Sequence, residues 1–197
     1  MAASVDGTLF KEILAERREH TLKRLTSPNL EDYVPSQRLR EGYSRLRSVP
    51  LPVSNDDELD DAIQQIRAVG NSGVTNAASH SESGITNAAN AFQSDQNASE
   101  FGNKMGATRK SALGDVGDAI NATYDKAEQI GANLNPSQQN TLLQVLDTLN
   151  DGFHAIWNKI SGFILDAVRN VVSFCQEAPG NIIHFFADIG SMIKSIF

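Results

Sequence analysis

Apolar residues recur at helical spacing in two short, strongly charged segments near the start of the chain. Between residues 9 and 25, six apolar side chains keep mostly to one face, and charged residues spaced four apart, Glu12 with Glu16 and Glu19 with Lys23, lie on the other. Residues 36–48 carry a narrower apolar stripe of Leu39, Tyr43 and Leu46 among arginines. Prolines at positions 28, 35, 50 and 52 separate these segments. The pattern predicts a charged N-terminal arm of short helices over residues 1–52.

Acidic residues begin the next segment, and an internal repeat follows them. Four early acids beside capping candidates at residues 54–57 favour a helix start, because negative charge is stabilised at a helix N-terminus. We expect this helix to end near Val69, with Gly-Asn-Ser-Gly at 70–73 as a hinge. The sequence GVTNAA at 73–78 then recurs eleven residues later as GITNAA at 84–89, and eleven residues make about three helical turns. The repeat predicts further helix, either continuous to residue 135 or folded back at Gly102 or Gly114.

The repeat segment is poor in large apolar residues. Between residues 70 and 135 there are eleven of them and eight glycines, and each glycine weakens a helix by about 1 kcal/mol relative to alanine. A helix of this composition is marginal by itself and needs a partner surface.

Most of the large apolar residues lie beyond Pro136. Asn135 and Pro136 form a helix-start signal, because asparagine is a good cap and proline fits the first helical position. Apolar residues then step by three or four up to Phe174, and Ala-Pro-Gly at 178–180 predicts a break before a second apolar helix. Charged residues interrupt the first helix, and the second is shorter than the roughly 20 residues of a membrane span. We predict an apolar helical hairpin over residues 136–197 that does not cross a bilayer.

These segments predict an all-α protein with three regions: the charged arm (1–52), the acidic-capped helix with the eleven-residue repeat (53–135) and the apolar hairpin (136–197). The chain of 197 residues has a formal net charge of −7, which disfavours nucleic-acid binding because phosphate contacts require a basic face. The charge is unevenly distributed, since nine Lys and Arg residues and seven acids precede Pro50. The arm is therefore weakly basic and the rest of the chain is acidic.

Side chains suited to catalysis or metal binding are scattered. A single cysteine, Cys175, excludes an intramolecular disulfide framework and a Cys-rich zinc site. The four histidines have no histidine partner at i+4, and there is no phosphate loop, dinucleotide fingerprint or serine elbow. We expect no enzymatic activity, no cofactor and no metal. The first residues resemble neither a secretory signal nor a transit peptide, which predicts an intracellular location, cytoplasmic or peripheral at a membrane.

The paired GVTNAA and GITNAA units lie in a helix rich in Gly, Ala, Thr and Asn. In this they resemble the eleven-residue amphipathic repeats of perilipin-type, exchangeable-apolipoprotein and late-embryogenesis-abundant proteins. The resemblance covers about a third of the chain. It implies helices that leave a bundle and coat lipid droplets or membranes reversibly. The chain departs from these families in having few lysines beside the stripe and its strongest apolar content outside the repeats.

The apolar face of residues 142–197 suggests a function, because we expect it to exceed what a chain of this size can cover by itself. We predict a non-enzymatic protein that associates with a lipid or membrane surface through its C-terminal amphipathic helices, with Trp157 and the Phe185-Phe186 pair at headgroup depth. The candidate contact residues are Phe153, Trp157, Ile160, Phe163, Ile164, Ile182, Phe185, Phe186, Ile189, Ile193 and Phe197. Candidates for contact of the basic arm with phosphate, lipid headgroups or an acidic protein groove are Arg38, Arg40, Arg45 and Arg47.

The same helices also suit a structural subunit. An extended arm can reach over neighbouring subunits, and an apolar tail can bury itself in them, as a homo-oligomer or a larger virion or organellar assembly requires. The sequence leaves a lipid surface and partner helices open as alternatives. An enzyme with an unrecognised site is a third hypothesis.

Overall fold

Six α-helices make up the part of the chain that the structure describes. The computed structural model describes residues 7–27, 29–52 and 56–197, and no strand occurs within those ranges. The all-α prediction is confirmed. In chain order the helices are α1 (Gly7–Thr26), α2 (Arg40–Ser48), α3 (Asp57–Asp95), α4 (Ala98–Gly131), α5 (Pro136–Arg169) and α6 (Val171–Ile196).

The helices form two compact units, and each unit is built from two separate stretches of chain. Unit 1 contains the residues up to Gly70 together with Ala119–Asp151, and unit 2 contains Asn71–Asp118 and Gly152–Phe197. Helices α1 and α2 belong to unit 1 and α6 belongs to unit 2, while α3, α4 and α5 each contribute residues to both. Each unit therefore draws on more than one of the three segments distinguished along the sequence.

Side-chain caps fix where α3 and α5 begin. The Gln138 N–H donates to Asn135 Oδ1 at 3.0 Å, and the Asn135 N–H donates to Gln138 Oε1 at 2.9 Å. This reciprocal exchange is a capping box, with Pro136 at the first helical position, where a missing N–H costs nothing. For α3 the Leu59 N–H donates to Asp56 Oδ1 at 3.2 Å. The helix start predicted at Pro136 is confirmed, and Ser54, another predicted capping residue of α3, lies outside the described residues.

Helix α3 runs through residues 70–73 without a break, so the predicted helix end near Val69 and the predicted hinge are both wrong. Burial explains the continuity, because α3 has buried apolar residues before these glycines, such as Ala62 and Ile66, and the repeat supplies buried residues after them. Burial of a continuous stripe outweighs the helix propensity lost at each glycine, about 1 kcal/mol. The residues of the two repeat units that form this stripe are Val74, Ala77, Ala78, Ile85, Ala88 and Ala89.

The chain turns back between α3 and α4 at Gln96 and Asn97. Gln96 has a φ of 54°, in the left-handed region that commonly ends helices. Asn97 caps α4, since its Oδ1 accepts the Glu100 N–H at 3.1 Å. The segment is therefore two helices rather than one, and the reversal falls at neither Gly102 nor Gly114, both of which lie inside α4.

Within unit 2, α3 and α4 run antiparallel and approach closely. The rings of Phe92 and Phe101 meet edge-on beside the turn, with centroids 5.8 Å apart. Farther along, a Cβ added at Gly84 would lie 2.6 Å from Oγ1 of Thr108. The glycine therefore permits a helix separation that a larger residue would prevent.

Helix α6 continues through Pro179, so the predicted break at 178–180 is wrong, and the reversal after α5 occurs at Asn170 instead. A proline inside a helix lacks the N–H that would bond to the carbonyl four residues earlier. In α6 that carbonyl belongs to Cys175. Gln93 of α3 provides the replacement donor, because its Nε2 donates to the Cys175 carbonyl oxygen at 2.9 Å. A side chain from another helix thus compensates for the proline.

We expect Gln93→Leu to lower the free energy of unfolding by about 1 kcal/mol, because the Cys175 carbonyl loses this donor. In a Pro179→Ala background the restored N–H bonds to the same carbonyl, and the Gln93 substitution then costs little. Denaturant unfolding of the two single variants and the double variant measures this coupling, with Asn87→Leu, at an exposed site on α3, as the control. An equal cost of Gln93→Leu in both backgrounds would contradict the compensation.

Candidate functional site

Aromatic contacts hold the C-terminal hairpin of unit 2 together. Phe163 of α5 stacks on Phe185 of α6, with ring centroids 4.0 Å apart and planes 9° apart. Phe163 also meets Phe174 edge-on at 5.6 Å. At the far end of the pair, the rings of Phe153 and Phe197 lie 5.2 Å apart. Ring packing therefore joins the unit 2 part of α5 to α6.

Most of the predicted lipid-contact residues are buried inside unit 2. Trp157 is only 3% exposed and Phe186 only 8%. The buried members of the set are Phe153, Trp157, Ile160, Ile164, Ile182, Phe186, Ile189 and Ile193. The half-buried members are Phe163, Phe185 and Phe197. For these eleven residues, the expectation that the apolar face exceeds what the chain can cover by itself is therefore wrong.

The cover comes from the helices that carry few large residues. Phe101 of α4 lies 6.2 Å from Phe174, measured between ring centroids. Arg109 of α4 donates from Nε to Ser161 Oγ at 2.8 Å, and its guanidinium carbon lies 5.3 Å from the centre of the Trp157 ring. Small side chains on α3 and α4 allow the backbones to come close, so the composition that makes these helices weak alone suits them to cover the hairpin.

A smaller apolar group stays exposed where α5 turns into α6. We call Leu165, Val168 and Val172 the hairpin tip; their exposures are 42%, 39% and 56%. Asp166 and Arg169 lie between them and pair with each other at 3.3 Å, which leaves the tip without net charge. Exposed apolar residues close together in the chain, with polar residues among them, are typical of interaction surfaces.

The hairpin tip was not among the predicted contact residues. The signal that identifies it is the position of the chain reversal, which the sequence pattern placed at Pro179 rather than at Asn170. Val168 and Val172 belong to the apolar pattern of the sequence, but only the reversal separates them from the residues that pack inside.

Two of the four arginines of the predicted basic contact pair with acids of unit 1. Arg38 donates from Nη1 to Glu12 Oε1 at 2.9 Å. Arg47 is half-buried, and its Nη1 lies 3.8 Å from Oδ2 of Asp147 on α5. The arm is therefore folded into unit 1 rather than free. Arg38, Arg40 and Arg45 are all exposed, and Arg38 is held by its pair with Glu12.

Helix α1 packs against α4 and α5 through ion pairs. Surface pairs of this kind contribute less than about 1 kcal/mol each, because water screens both charges. The local excess of positive charge on the arm is met by acids that follow much later in the sequence. These pairs join Lys11 to Glu128, Arg18 to Asp125, and Arg24 to Asp151.

Arg17 differs from these cations because its side chain is only 2% exposed. Its Nη2 pairs with Oδ1 of Asp147, the same carboxylate that Arg47 approaches. The guanidinium carbon also lies 5.5 Å from the centre of the Tyr33 ring. The buried Nε and Nη1 atoms of Arg17 have no hydrogen-bond partner among the described residues. Asp147 is therefore the main compensation for a buried charge.

Glu16 ties the chain between α1 and α2 to α1. Its Oε2 accepts the Ser36 N–H at 3.0 Å and the Tyr33 hydroxyl at 3.2 Å. Burial acts to raise the pKa of the Glu16 carboxyl, but these hydrogen bonds and the charge of Arg38 outweigh it, so the pKa lies below its ordinary value. Burial and the Glu16 carboxylate raise the pKa of Tyr33 above its ordinary value. At neutral pH the ionised Glu16 carboxylate therefore accepts a hydrogen bond from the neutral Tyr33 hydroxyl.

Groups with metal-ligand chemistry form no cluster in the described part of the chain. Within it, no three His, Cys, Asp or Glu side chains come together to hold a metal ion. Burial raises the pKa of the Cys175 thiol, which disfavours the nucleophilic thiolate. None of the described helices combines the length and the apolar character that crossing a bilayer demands.

We expect Asp147→Ala to lower the free energy of unfolding by about 2 kcal/mol, because it leaves the buried Arg17 charge without its carboxylate partner. The loss is smaller than for a fully buried pair, because Asp147 is partly exposed. Arg17→Met should cost less, since it removes the charge and keeps most of the volume. Denaturant unfolding compares the variants. Asp151→Ala, which breaks a surface pair, is the matched control and should change stability by under about 0.5 kcal/mol. Equal losses for Asp147→Ala and Asp151→Ala would contradict this role.

We expect Glu16→Gln to destabilise the protein at neutral pH and to have little effect in acid. A carboxyl whose folded-state pKa is lowered contributes stability above its unfolded-state pKa, here about 4.5, and loses it as the pH falls through the folded-state value. Urea unfolding of wild type and variant at neutral pH and near pH 3 measures the difference. Glu19→Gln is the control at an exposed ion pair, and a pH-independent loss for Glu16→Gln would refute the assignment.

The comparisons with known proteins give this chain no relative. No family model, no curated protein and no solved structure matches it.

Proposed function

We propose that the protein is a non-enzymatic helical protein that associates peripherally with a lipid or membrane surface through its C-terminal hairpin. The observation that carries the proposal is the hairpin tip, where three large apolar side chains are exposed within eight residues of a chain reversal. The reversal projects these side chains from the end of a helix pair that aromatic contacts hold together. A tip of this kind can enter the interface while the rest of the hairpin stays folded.

The charges beside the tip favour a neutral lipid surface. Asp166 and Arg169 compensate each other, so anionic headgroups gain no net attraction there. Transfer of the three half-exposed side chains from water would contribute about 2–4 kcal/mol. An interaction of this size is weak and reversible, and stable attachment would need a second contact or several copies.

Because Trp157 and Phe186 are buried, they are not available for the first contact with a lipid surface. Contact through those residues would require α5 and α6 to separate from α3 and α4 within unit 2. The resemblance of the repeat to exchangeable lipid-coating helices is compatible with such opening, and tip insertion does not require it. We therefore place the first contact at the hairpin tip rather than at the predicted aromatic set.

Vesicle flotation tests the tip directly. We expect the wild-type chain to float with phosphatidylcholine vesicles and the Leu165→Asp/Val172→Asp variant to bind about tenfold more weakly, because a charged side chain is costly below the headgroups. Val34→Asp in unit 1 is the matched control, since Val34 is also an exposed apolar residue. Phe185→Asp is a poorer test because Phe185 stacks on Phe163, and its loss would disturb the hairpin itself.

Equal flotation of the tip variant, the Val34 variant and the wild type would contradict the proposal, as would no flotation of the wild type. Light scattering with and without vesicles distinguishes the other function that the sequence left open. A discrete oligomer at low micromolar concentration that takes up no lipid would favour a structural subunit that docks through the same helices.

A further inference from the structure

A groove of about 260 Å³ lies in unit 2 between α3 and α6. Its residues on α3 span Glu82 to Gln93, and those on α6 span Ala178 to Ile183. The two stretches run antiparallel, because Gln93 contacts the Cys175 carbonyl while residues before Gln93 and residues after Cys175 line the same groove. The groove is therefore elongated along the helices, with Gln93 at one end and Glu82 towards the other.

Small residues on both facing helices create the groove. Ala89 of α3 and Ala178 and Pro179 of α6 leave space that longer side chains would fill. Ile182 lines the apolar part of the groove, while Ile183 is 63% exposed at its edge. An apolar groove that is open to solvent along one side suits an unbranched hydrocarbon chain.

One end of the groove carries a negative charge. Glu82 is the ionisable member of the residues that line it, and its side chain is half-buried. Among the described residues Glu82 forms no salt bridge, whereas most acids of unit 1 on α4 and α5 are paired. No lysine or arginine lines the groove, and unit 2 as a whole carries eight acids and six Lys or Arg residues. The charge complements a cationic head and repels an anionic one.

The volume sets the size of the ligand. It is slightly below the roughly 300–1,000 Å³ of typical small-molecule pockets, so two acyl chains do not fit. We propose that the groove binds a single-chain amphiphile with a primary ammonium head, its hydrocarbon chain along Ala89, Pro179 and Ile182 and its ammonium group at Glu82. This site is separate from the hairpin tip and does not depend on association with a lipid surface.

Isothermal titration of the full-length chain with n-octylamine, 1-octanol and octanoate at neutral pH tests the site. We expect saturable binding of octylamine, weaker binding of octanol and the weakest binding of octanoate. Glu82→Gln should weaken octylamine about five- to tenfold and leave octanol unchanged, because a charge-assisted hydrogen bond is lost. Glu177→Gln, an exposed acid on α6 outside the groove lining, is the matched control and should leave both affinities unchanged.

A second variant tests the position of the hydrocarbon chain. Asn90 is exposed and lines the groove, so Asn90→Phe should place a ring over the groove without disturbing the core, and it should weaken octylamine and octanol together. Retained helical content by circular dichroism verifies that each variant is folded. Absence of saturable octylamine binding, octanoate binding as strong as octylamine, or unchanged affinity in both groove variants would overturn the proposal.

The experiments distinguish a failure of the groove proposal from a failure of the proposed lipid-surface association. The groove variants should leave vesicle flotation unchanged, and the Leu165→Asp/Val172→Asp variant should leave octylamine binding unchanged. If Glu82→Gln abolished flotation as well, the groove would not be a separate site and this inference would be overturned.

Discussion

Covering the apolar face of α5 and α6 is the constraint on which unit 2 depends. Exposure of this face to water would be strongly unfavourable, because the face contains Trp157, Ile160 and Ile189 and has a large apolar area. Helices α3 and α4 meet this need with small side chains and with a few larger anchors such as Phe101. The arrangement is reciprocal, since the repeat helix has too little apolar bulk to fold alone and gains its stability from the hairpin.

In unit 1 charge has a larger role. Helix α1 brings several cations against the acidic faces of α4 and α5, and most of these pairs lie at the surface, where they orient the helix more than they stabilise it. Arg17 is the exception, because its burial makes the structure depend on one carboxylate. The weakly basic arm is thus a structural element whose charges are largely satisfied by the same chain, and it is less available to an external partner than its sequence suggests.

Local signals predicted much of the fold and less of the candidate site. The start of α5 follows from Asn135, Pro136 and Gln138, which are adjacent in sequence and complete the cap among themselves. Passage of α6 through Pro179 could not be predicted in this way, because the compensating donor, Gln93, lies on a different helix. Hydrophobicity is the property that predicts the contact residues, and the same property is required of a buried core. Only the position of the reversal at Asn170 separates the exposed valines from the buried aromatic residues.

The division of each unit into two stretches of chain affects when the protein can fold during synthesis. Helix α1 does not have all of its packing partners in unit 1 until Asp151 has been synthesised. Unit 2 is incomplete until α6 has been made. The cations of α1 and the thin repeat helix therefore emerge long before the acids and the apolar hairpin that they pack against. Domains usually fold from the N-terminus as they are made, but the connectivity of this chain delays completion of both units until their later helices have been made.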